Sequence, residues 1–177
     1  MLPRTMPDSH ITPQMLDVVG LELRSATSFP ITDSDIRRWA IAVYYPEPAP
    51  RLFWDRDYAA TTAHGGIVAP EDFNPFAWLT QTEADAGVAA RAQTGFGPEE
   101  SLGLPAPATT AIINGGTEVE YGVRMRPGDV ITSVTTLGGY KEREGRLGLM
   151  LFTTTVDTWT NQEGATVKTS QSTLIRY

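Results

Sequence analysis

The histidines, and the acidic residues that could act with them, are the side chains of this sequence best suited to proton-transfer chemistry. The chain has only two histidines, His10 near the N-terminus and His64, which stands directly before Gly65 and Gly66. A loop imidazole can act as a general base when a carboxylate orients it. No partner carboxylate is identifiable for His64, which favours a partly exposed loop residue. Glu47, in the proline-rich stretch 45–54, is the other candidate catalytic side chain.

Two further acidic pairs have simpler interpretations. Asp55 and Asp57 could form a catalytic pair, but their position favours the start of a short helix over 55–61, where they would act as caps. Glu118 and Glu120 alternate on one face of a predicted strand, and alternation of this kind is typical of a solvent-facing surface. Neither pair therefore predicts an active site.

Backbone groups are the second possible source of chemistry. Gly65 and Gly66 have no Cβ, so the N–H groups around them can approach a ligand closely, here at the predicted start of a helix. The alternative is that the glycines only permit a tight turn from loop to helix. Arg124 and Arg126 could meet one phosphate of a nucleotide, although exposed arginines at strand ends are common.

These residues must be positioned by a mixed set of helices and strands. Thr32 followed by two acids predicts a helix start, and Ile36 and Val43 continue it at helical spacing. Residues 14–32 carry short apolar runs that suggest a helical turn near 15–19 and a first strand near 28–31. The C-terminal half alternates as four long strands joined by tight turns, which predicts an antiparallel meander. The expected strands are 117–125, 130–140, 146–159 and 165–177.

One apolar helix is predicted at the centre of the fold. It covers about Glu71 to Glu83, with Phe73, Phe76 and Leu79 mostly buried and with Asn74 as a possible cap before Pro75. A curved antiparallel sheet wrapped around such a helix is an α+β layout, the hot-dog fold. The long Gly-, Ala- and Pro-rich stretch 86–112 has the length of a functional or mobile loop.

Composition narrows the function. The 177 residues suit one domain over 14–177 preceded by a flexible arm over 1–13. A net charge of −7 without a basic run argues against nucleic acid, and the lack of cysteines excludes disulfides and thiolate chemistry. No metal site is expected. With neither an apolar leader nor a run of membrane-spanning length, we expect a soluble, cytoplasmic protein that does not bind a membrane.

Three segments resemble the MaoC-like hydratase/dehydratase family, in particular the N-terminal half of its FAS1-like dehydratase branch. They are the helix over 31–43, the stretches WDRDYA and GGIVAP at 54–59 and 65–70, and NGGTEVEY with MRPGD at 114–121 and 125–129. The middle segment is the most specific, and the likeness spans about residues 17–177. The resemblance implies the hot-dog fold and an acyl thioester, of CoA or of a carrier protein, as ligand without a further cofactor.

The resemblance also shows what is missing. Catalytic members carry Asp-x-Asn-Pro-x-His after the first helix, where the Asp and His move protons as water is added to, or removed from, the acyl chain. Residues 44–55 of this chain read YYPEPAPRLFWD, with no Asp or His where that pair belongs. The Gly-Gly segment does match, and in the family its N–H polarises the thioester carbonyl. The expected substrate-binding residues are Gly65, Gly66, Ile67, Tyr45, Phe53 and Trp54, although the aromatic residues, with Tyr44, could equally belong to the core or a subunit interface.

By this resemblance the chain is a non-catalytic half of a hydratase or dehydratase, holding the acyl group while a second hot-dog subunit supplies the Asp/His dyad. The acyl group could be bulky, such as a steroid side chain or a long fatty chain. A homodimer is the other assembly to consider. The alternative function is a non-enzymatic hot-dog module that binds acyl thioesters or acts as a scaffold.

Overall fold

The computed structural model describes residues 9–79 and 97–177. In these ranges the chain forms three α-helices and five β-strands. In chain order they are α1 (Pro13–Asp17), β1 (Glu22–Thr27), α2 (Asp33–Tyr44), α3 (Arg56–Ala60), β2 (Ile112–Tyr121), β3 (Thr132–Gly145), β4 (Gly148–Thr160) and β5 (Thr166–Arg176). Within these ranges, no helix has the length and apolar character needed to cross a membrane.

The five strands form one antiparallel sheet in the order β1-β3-β4-β5-β2. Strands β3, β4 and β5 are consecutive in sequence and in space, which confirms the predicted meander. Strand β2 pairs with β5 and begins earlier than expected, because a bulge between Asn114 and Thr117 allows the ladder to continue toward Ile112. The Asn114 side chain accepts a hydrogen bond from the N–H of Gly116 within this bulge at 2.8 Å.

Strand β1 lies at one edge of the sheet and β2 at the other. The predicted first strand near residues 28–31 is shifted, since β1 ends at Thr27. Pro30 has no N–H to donate to a ladder. The N–H groups of Ser28 and Ile31 nevertheless bond to the carbonyls of Ile131 and Asp129, at 2.8 and 2.9 Å. This segment therefore continues beside the sheet as irregular chain.

The sheet and the loops bury one apolar cluster between them. In β4 the side chains of Leu151, Thr153 and Trp159 are buried on one face, in keeping with the two-residue period of a strand. Helix α2 contributes Ile36 and Ala40 to the cluster. The buried members of the cluster are Ile31, Ile36, Ala40, Phe53, Ala59, Ile67, Ala69, Phe73, Met125, Ile131, Trp159 and Val167.

The helix starts follow the sequence signals. Thr32 accepts from the N–H of Asp35 while the Asp35 side chain accepts from the N–H of Thr32, a reciprocal capping box that fixes the first turn of α2. Asp55 caps α3 by accepting a hydrogen bond from the N–H of Tyr58. These caps confirm the predicted helices over 33–43 and 55–61.

The predicted long helix over Glu71 to Glu83 is wrong for its described part, Glu71 to Leu79. Only a 3-10 turn forms there, Pro75–Trp78, with Asn74 at its cap, and Leu79 returns to extended backbone at φ −64° and ψ 131°. The apolar pattern arises because the loop itself buries Phe73, while Phe76 and Leu79 are half-buried. Residues 80–83 of that prediction, and 86–96 of the predicted long loop, lie outside the described ranges.

The start of the chain is described from Ser9 onward. His10 is buried, its N–H donates to the Glu142 carboxylate on β3, and its Nε2 lies 3.1 Å from the Leu149 carbonyl oxygen. The segment from Ser9 to Ile11 therefore lies against the β3–β4 hairpin before α1 begins at Pro13. The predicted boundary between an arm and a domain at residue 13 stays a prediction.

Candidate functional site

The candidate site is the turn that follows α3 and contains Gly65 and Gly66. The N–H of Gly65 donates to the Thr62 carbonyl at 3.0 Å, which closes the turn. Gly65 has φ +64°, a left-handed conformation that glycine adopts without steric cost. After the turn, Ile67 and Val68 are buried. Gly65 is thus exposed and Gly66 half-exposed at the rim of the core.

Two arginines from the segment after β2 hold the turn in place. The Nη2 of Arg126 donates to the His64 carbonyl at 2.7 Å, and Arg124 donates to the Ala69 carbonyl from Nε at 3.2 Å and from Nη2 at 2.5 Å. The N–H of Ala69 returns a bond to the Met125 carbonyl at 2.8 Å. The resembling segments at 65–70 and 125–129 therefore meet in space and support each other.

The Gly-Gly turn is not a helix start, which corrects the sequence prediction. Residues 67–74 are irregular, and the 3-10 turn Pro75–Trp78 begins well beyond the glycines. A helix dipole therefore does not contribute positive potential at this turn. The positive charge beside the glycines comes instead from Arg126, whose Nη1 lies 3.7 Å from the position a Cβ on Gly66 would occupy.

The stretch over 44–55, where the resemblance implies a catalytic dyad in other proteins, is a compact aromatic loop. Trp54 donates from its indole nitrogen to the Ala49 carbonyl at 2.9 Å, and the rings of Tyr44 and Phe53 lie 5.8 Å apart. Of the aromatic residues expected to bind substrate, Phe53 is buried in the core, Tyr45 is 81% exposed and Trp54 is 46% exposed. Ile67 joins Phe53 in the buried cluster. Of the three aromatic residues expected to bind substrate, Tyr45 and Trp54 thus present surface to a ligand and Phe53 does not.

The two candidate catalytic side chains lie in separate turns. Glu47 follows α2, where its N–H donates to the Tyr44 carbonyl at 2.8 Å, and His64 follows α3. Within the described ranges neither side chain makes a hydrogen bond, and no acid pairs with His64. This geometry provides no acid/base pair.

Asp55 has a structural role at the start of α3. It accepts from the N–H of Tyr58 at 3.1 Å and from Nη2 and Nε of Arg51, at 2.6 and 2.9 Å. The hydrogen bond from Tyr58, followed by those from Arg51, lowers the pKa of the Asp55 carboxyl from its ordinary value of 3.8. Asp57 stands in the first turn of the same helix, while Glu118 and Glu120 are exposed on β2, as expected.

The sheet carries two polar clusters that the sequence did not reveal. Arg176 and Glu99 form a buried bidentate ion pair with N–O distances of 2.7 and 2.8 Å, and Arg176 also donates to Thr153 at 2.6 Å. Burial, followed by the nearby Glu99 carboxylate, raises the pKa of Tyr140 beside this pair. Glu99 and Arg176 are 77 residues apart, so only the fold brings them together.

The second cluster centres on Asp157 of β4. Its carboxylate accepts from Ser133 at 2.6 Å, from Thr135 at 3.2 Å and from the Trp159 indole at 2.7 Å. The Lys168 ammonium lies 3.3 Å from the centre of the Trp159 ring, and burial lowers the pKa of this lysine. Alternating strand residues gave no signal for such a contact between strands. In the described ranges, no group of His, Asp and Glu side chains is arranged to hold a metal ion.

Solved structures share this fold at low sequence identity. A MaoC-like dehydratase from Rhodospirillum rubrum is 21% identical with a TM-score of 0.55, covering 90% of this chain and 92% of that one. The (R)-hydratase PhaJ1 from Pseudomonas aeruginosa is 18% identical with a TM-score of 0.54, covering 89% and 81%. The ChsH1–ChsH2 complex from Mycobacterium tuberculosis matches at 16% identity and a TM-score of 0.59, covering 87% and 83%.

No curated protein sequence matches this chain. The family described as "FAS1-like, dehydratase domain region" matches residues 17–170, which is most of the chain. With the antiparallel sheet and the structural likenesses, this match confirms the α+β hot-dog fold. The chain belongs to the FAS1-like dehydratase domain family.

Proposed function

We propose that this chain is the acyl-thioester-holding, chemically silent half of a heteromeric hydratase or dehydratase. The observation that carries the proposal is the loop over 44–55, which keeps the family's position after α2 but presents aromatic and proline side chains in place of an acid/base pair. Hydration of an enoyl thioester needs a base for the water and an acid for the α-carbon. Those two groups would come from the partner.

The partner is a second hot-dog subunit with an intact Asp/His dyad. Strand β2 supports this assembly, because it is an edge strand and is exposed along its whole length. An unpaired edge is a template for another strand. Its exposed apolar side chains include Val119 at 41% and Tyr121 at 46%. The solved ChsH1–ChsH2 complex shows that a protein of this fold occurs in a two-component assembly.

The ligand is the thioester of CoA or of a carrier protein, with the Gly65–Gly66 turn as its contact. The turn's exposure and its two arginine supports favour this role, since a ligand contact must be both accessible and held in place. Tyr45 and Trp54 add apolar surface for the acyl part. The length of the sequence segment over 86–112 favours a bulky acyl group as ligand. A steroid side chain and a long fatty chain are two acyl groups of this kind.

Co-expression with candidate partner subunits tests the proposal. The purified pair is assayed on enoyl-CoAs from short chains to steroid side chains, beside each subunit alone. We expect turnover from the pair and none from this chain. A partner that is equally active and equally selective without this chain would contradict the proposal. Thioester binding without any activating partner would favour the non-enzymatic binding module instead.

A further inference from the structure

The turn at Gly65–Gly66 collects several hydrogen-bond donors at one accessible place. Among the residues that the structure describes, the N–H groups of Gly66 and Ile67 have no acceptor. Arg126 is exposed and donates from Nη2 to the His64 carbonyl, which leaves its Nε and Nη1 without a partner in the same ranges. Its Nη1 faces Gly66, where the missing side chain leaves an open approach.

Among the described residues, the charges around the turn leave the Arg126 guanidinium without a counter-charge. Arg124 is committed to Glu71 at 3.2 Å and to the Ala69 carbonyl. Asp129 accepts from the backbone N–H of Arg126 and from Gln162, so its carboxylate stabilises the turn after β2 rather than the guanidinium. The guanidinium of Arg126 forms no ion pair within 9–79 and 97–177.

We propose that Arg126, with the N–H groups of Gly66 and Ile67, forms an anion site that binds a phosphate group of the CoA part of the ligand. A planar guanidinium with free N–H groups matches phosphate oxygens, and charged hydrogen bonds are about twice as strong as neutral ones. A thioester carbonyl gains less from the full positive charge of a guanidinium than a phosphate does, because the carbonyl oxygen is neutral and the phosphate is an anion. The inference rests on the proposed function in requiring that the chain binds a thioester.

Two matched ligands separate phosphate from thioester at this turn. Octanoyl-CoA carries phosphates and a thioester, whereas octanoyl-pantetheine carries the same acyl chain and thioester without any phosphate. Binding of each to the full chain is measured by calorimetry for the wild type, Arg126→Gln, Arg126→Lys and Arg38→Gln. Arg38 is an exposed arginine of α2 and serves as the matched control, and thermal melting checks that each variant is folded.

We expect Arg126→Gln to weaken octanoyl-CoA about tenfold or more, in keeping with the loss of a charged hydrogen bond. Arg126→Lys should keep part of the affinity, and neither change should alter octanoyl-pantetheine binding. Inorganic phosphate should compete with octanoyl-CoA for the wild type but not for Arg126→Gln, and added salt should weaken CoA binding as ions screen the contact.

Each other outcome has a distinct meaning. Equal losses for both ligands on Arg126→Gln would place the thioester at this turn and overturn the phosphate assignment. Unchanged octanoyl-CoA binding in Arg126→Gln, or an equal loss in Arg38→Gln, would also overturn it while leaving the proposed function standing. If the wild type binds neither ligand, the phosphate site is refuted, and the proposed function is then decided by the turnover of the co-expressed pair.

Discussion

A glycine can be required by its backbone angles or by the space around it, and the two glycines of the candidate turn separate these causes. Gly65 has φ +64° with open space around its Cβ position. Gly66 has no positive φ, and its Cβ position is 3.7 Å from Nη1 of Arg126, an ordinary contact. Gly65 therefore serves the turn, whereas Gly66 keeps the approach to Arg126 open.

We predict that Gly65→Ala destabilises the fold by about 1 kcal/mol, since an L residue in the left-handed region pays roughly this amount. Gly66→Ala should change stability by much less, because its Cβ meets only ordinary contacts. Urea denaturation of the two variants beside the wild type measures the difference. Equal destabilisation by both substitutions would show that the backbone of the turn differs from the one described.

Asp55 makes a second residue-scale prediction, on pH. Its pKa is lowered in the folded state by the Tyr58 N–H and then by Arg51, so its contribution to stability is present above its ordinary pKa of 3.8. That contribution is lost as the pH falls through the lower folded pKa. We expect Asp55→Asn to melt closer to the wild type at pH 2–3 than at pH 7. A melting difference that is independent of pH would contradict this linkage.

At the scale of elements, the helices with side-chain caps were predictable and the apolar loop was not. Thr32 and Asp55 predict the starts of α2 and α3, because a capping side chain bonds to residues close to it in the sequence. The segment from Glu71 to Leu79 has apolar residues at helical spacing, yet a loop rather than an α-helix buries Phe73 and Pro75. Periodicity indicates which side chains are buried, and here an irregular loop buries Phe73 while the 3-10 turn after it buries Pro75.

The candidate site, too, was predictable where it depends on sequence neighbours and not where it depends on contacts between distant segments. A tight turn at Gly65–Gly66 was predictable, since glycines act through local backbone, but the helix expected to start there is absent. Its arginine supports, and the ion pair of Glu99 and Arg176, depend on contacts between distant segments, which no spacing rule contains. Ile67 was expected to face a ligand, and Phe53 either a ligand, the core or a subunit interface. Both are core residues, because an apolar side chain is equally suited to any of these places.

The buried ion pair leads to a prediction about the segment before β2. Glu99 and Arg176 each expose 1% of their side chains, and the pair holds residues 97–104 onto β5. Gly97 is required there, since a Cβ would collide with the side chains of both partners. We expect Glu99→Gln to cost about 3–5 kcal/mol, because it leaves a guanidinium buried without its counter-charge.

Glu71→Gln is the matched control for that measurement. Its carboxylate also pairs with an arginine, Arg124, but its side chain is 54% exposed, so the cost should stay below about 1 kcal/mol. Chemical denaturation of both variants gives the comparison. Similar small losses at the two sites would mean that water reaches the Glu99–Arg176 pair.

At the scale of the whole molecule, the outer edge of β2, which pairs with no further strand among the described residues, predicts association. We expect Val119→Lys to weaken pairing with a second hot-dog subunit, because it places a charge among the apolar side chains of the edge strand. Leu147→Lys is the control, since Leu147 is 51% exposed at the β3–β4 turn, away from β2. Light scattering and co-purification report the assembly. Equal loss of pairing in both variants, or in neither, would remove β2 from the interface.

Catalysis should depend on the whole assembly rather than on any titratable group of this chain. In an active pair, His64→Ala and Glu47→Gln should leave the turnover number nearly unchanged, because the two side chains lie in separate turns without an acid/base partner in the described ranges. A positioned acid or base is typically worth about 10²–10⁴-fold in rate, so substitution of the partner's dyad should lower turnover by that order. Gly66→Val, in contrast, should raise KM without a matching loss in turnover, because it fills the approach to the turn. Steady-state kinetics of the reconstituted pair distinguishes these effects. A hundredfold loss in turnover from His64→Ala or Glu47→Gln would show that this half takes part in the proton transfers.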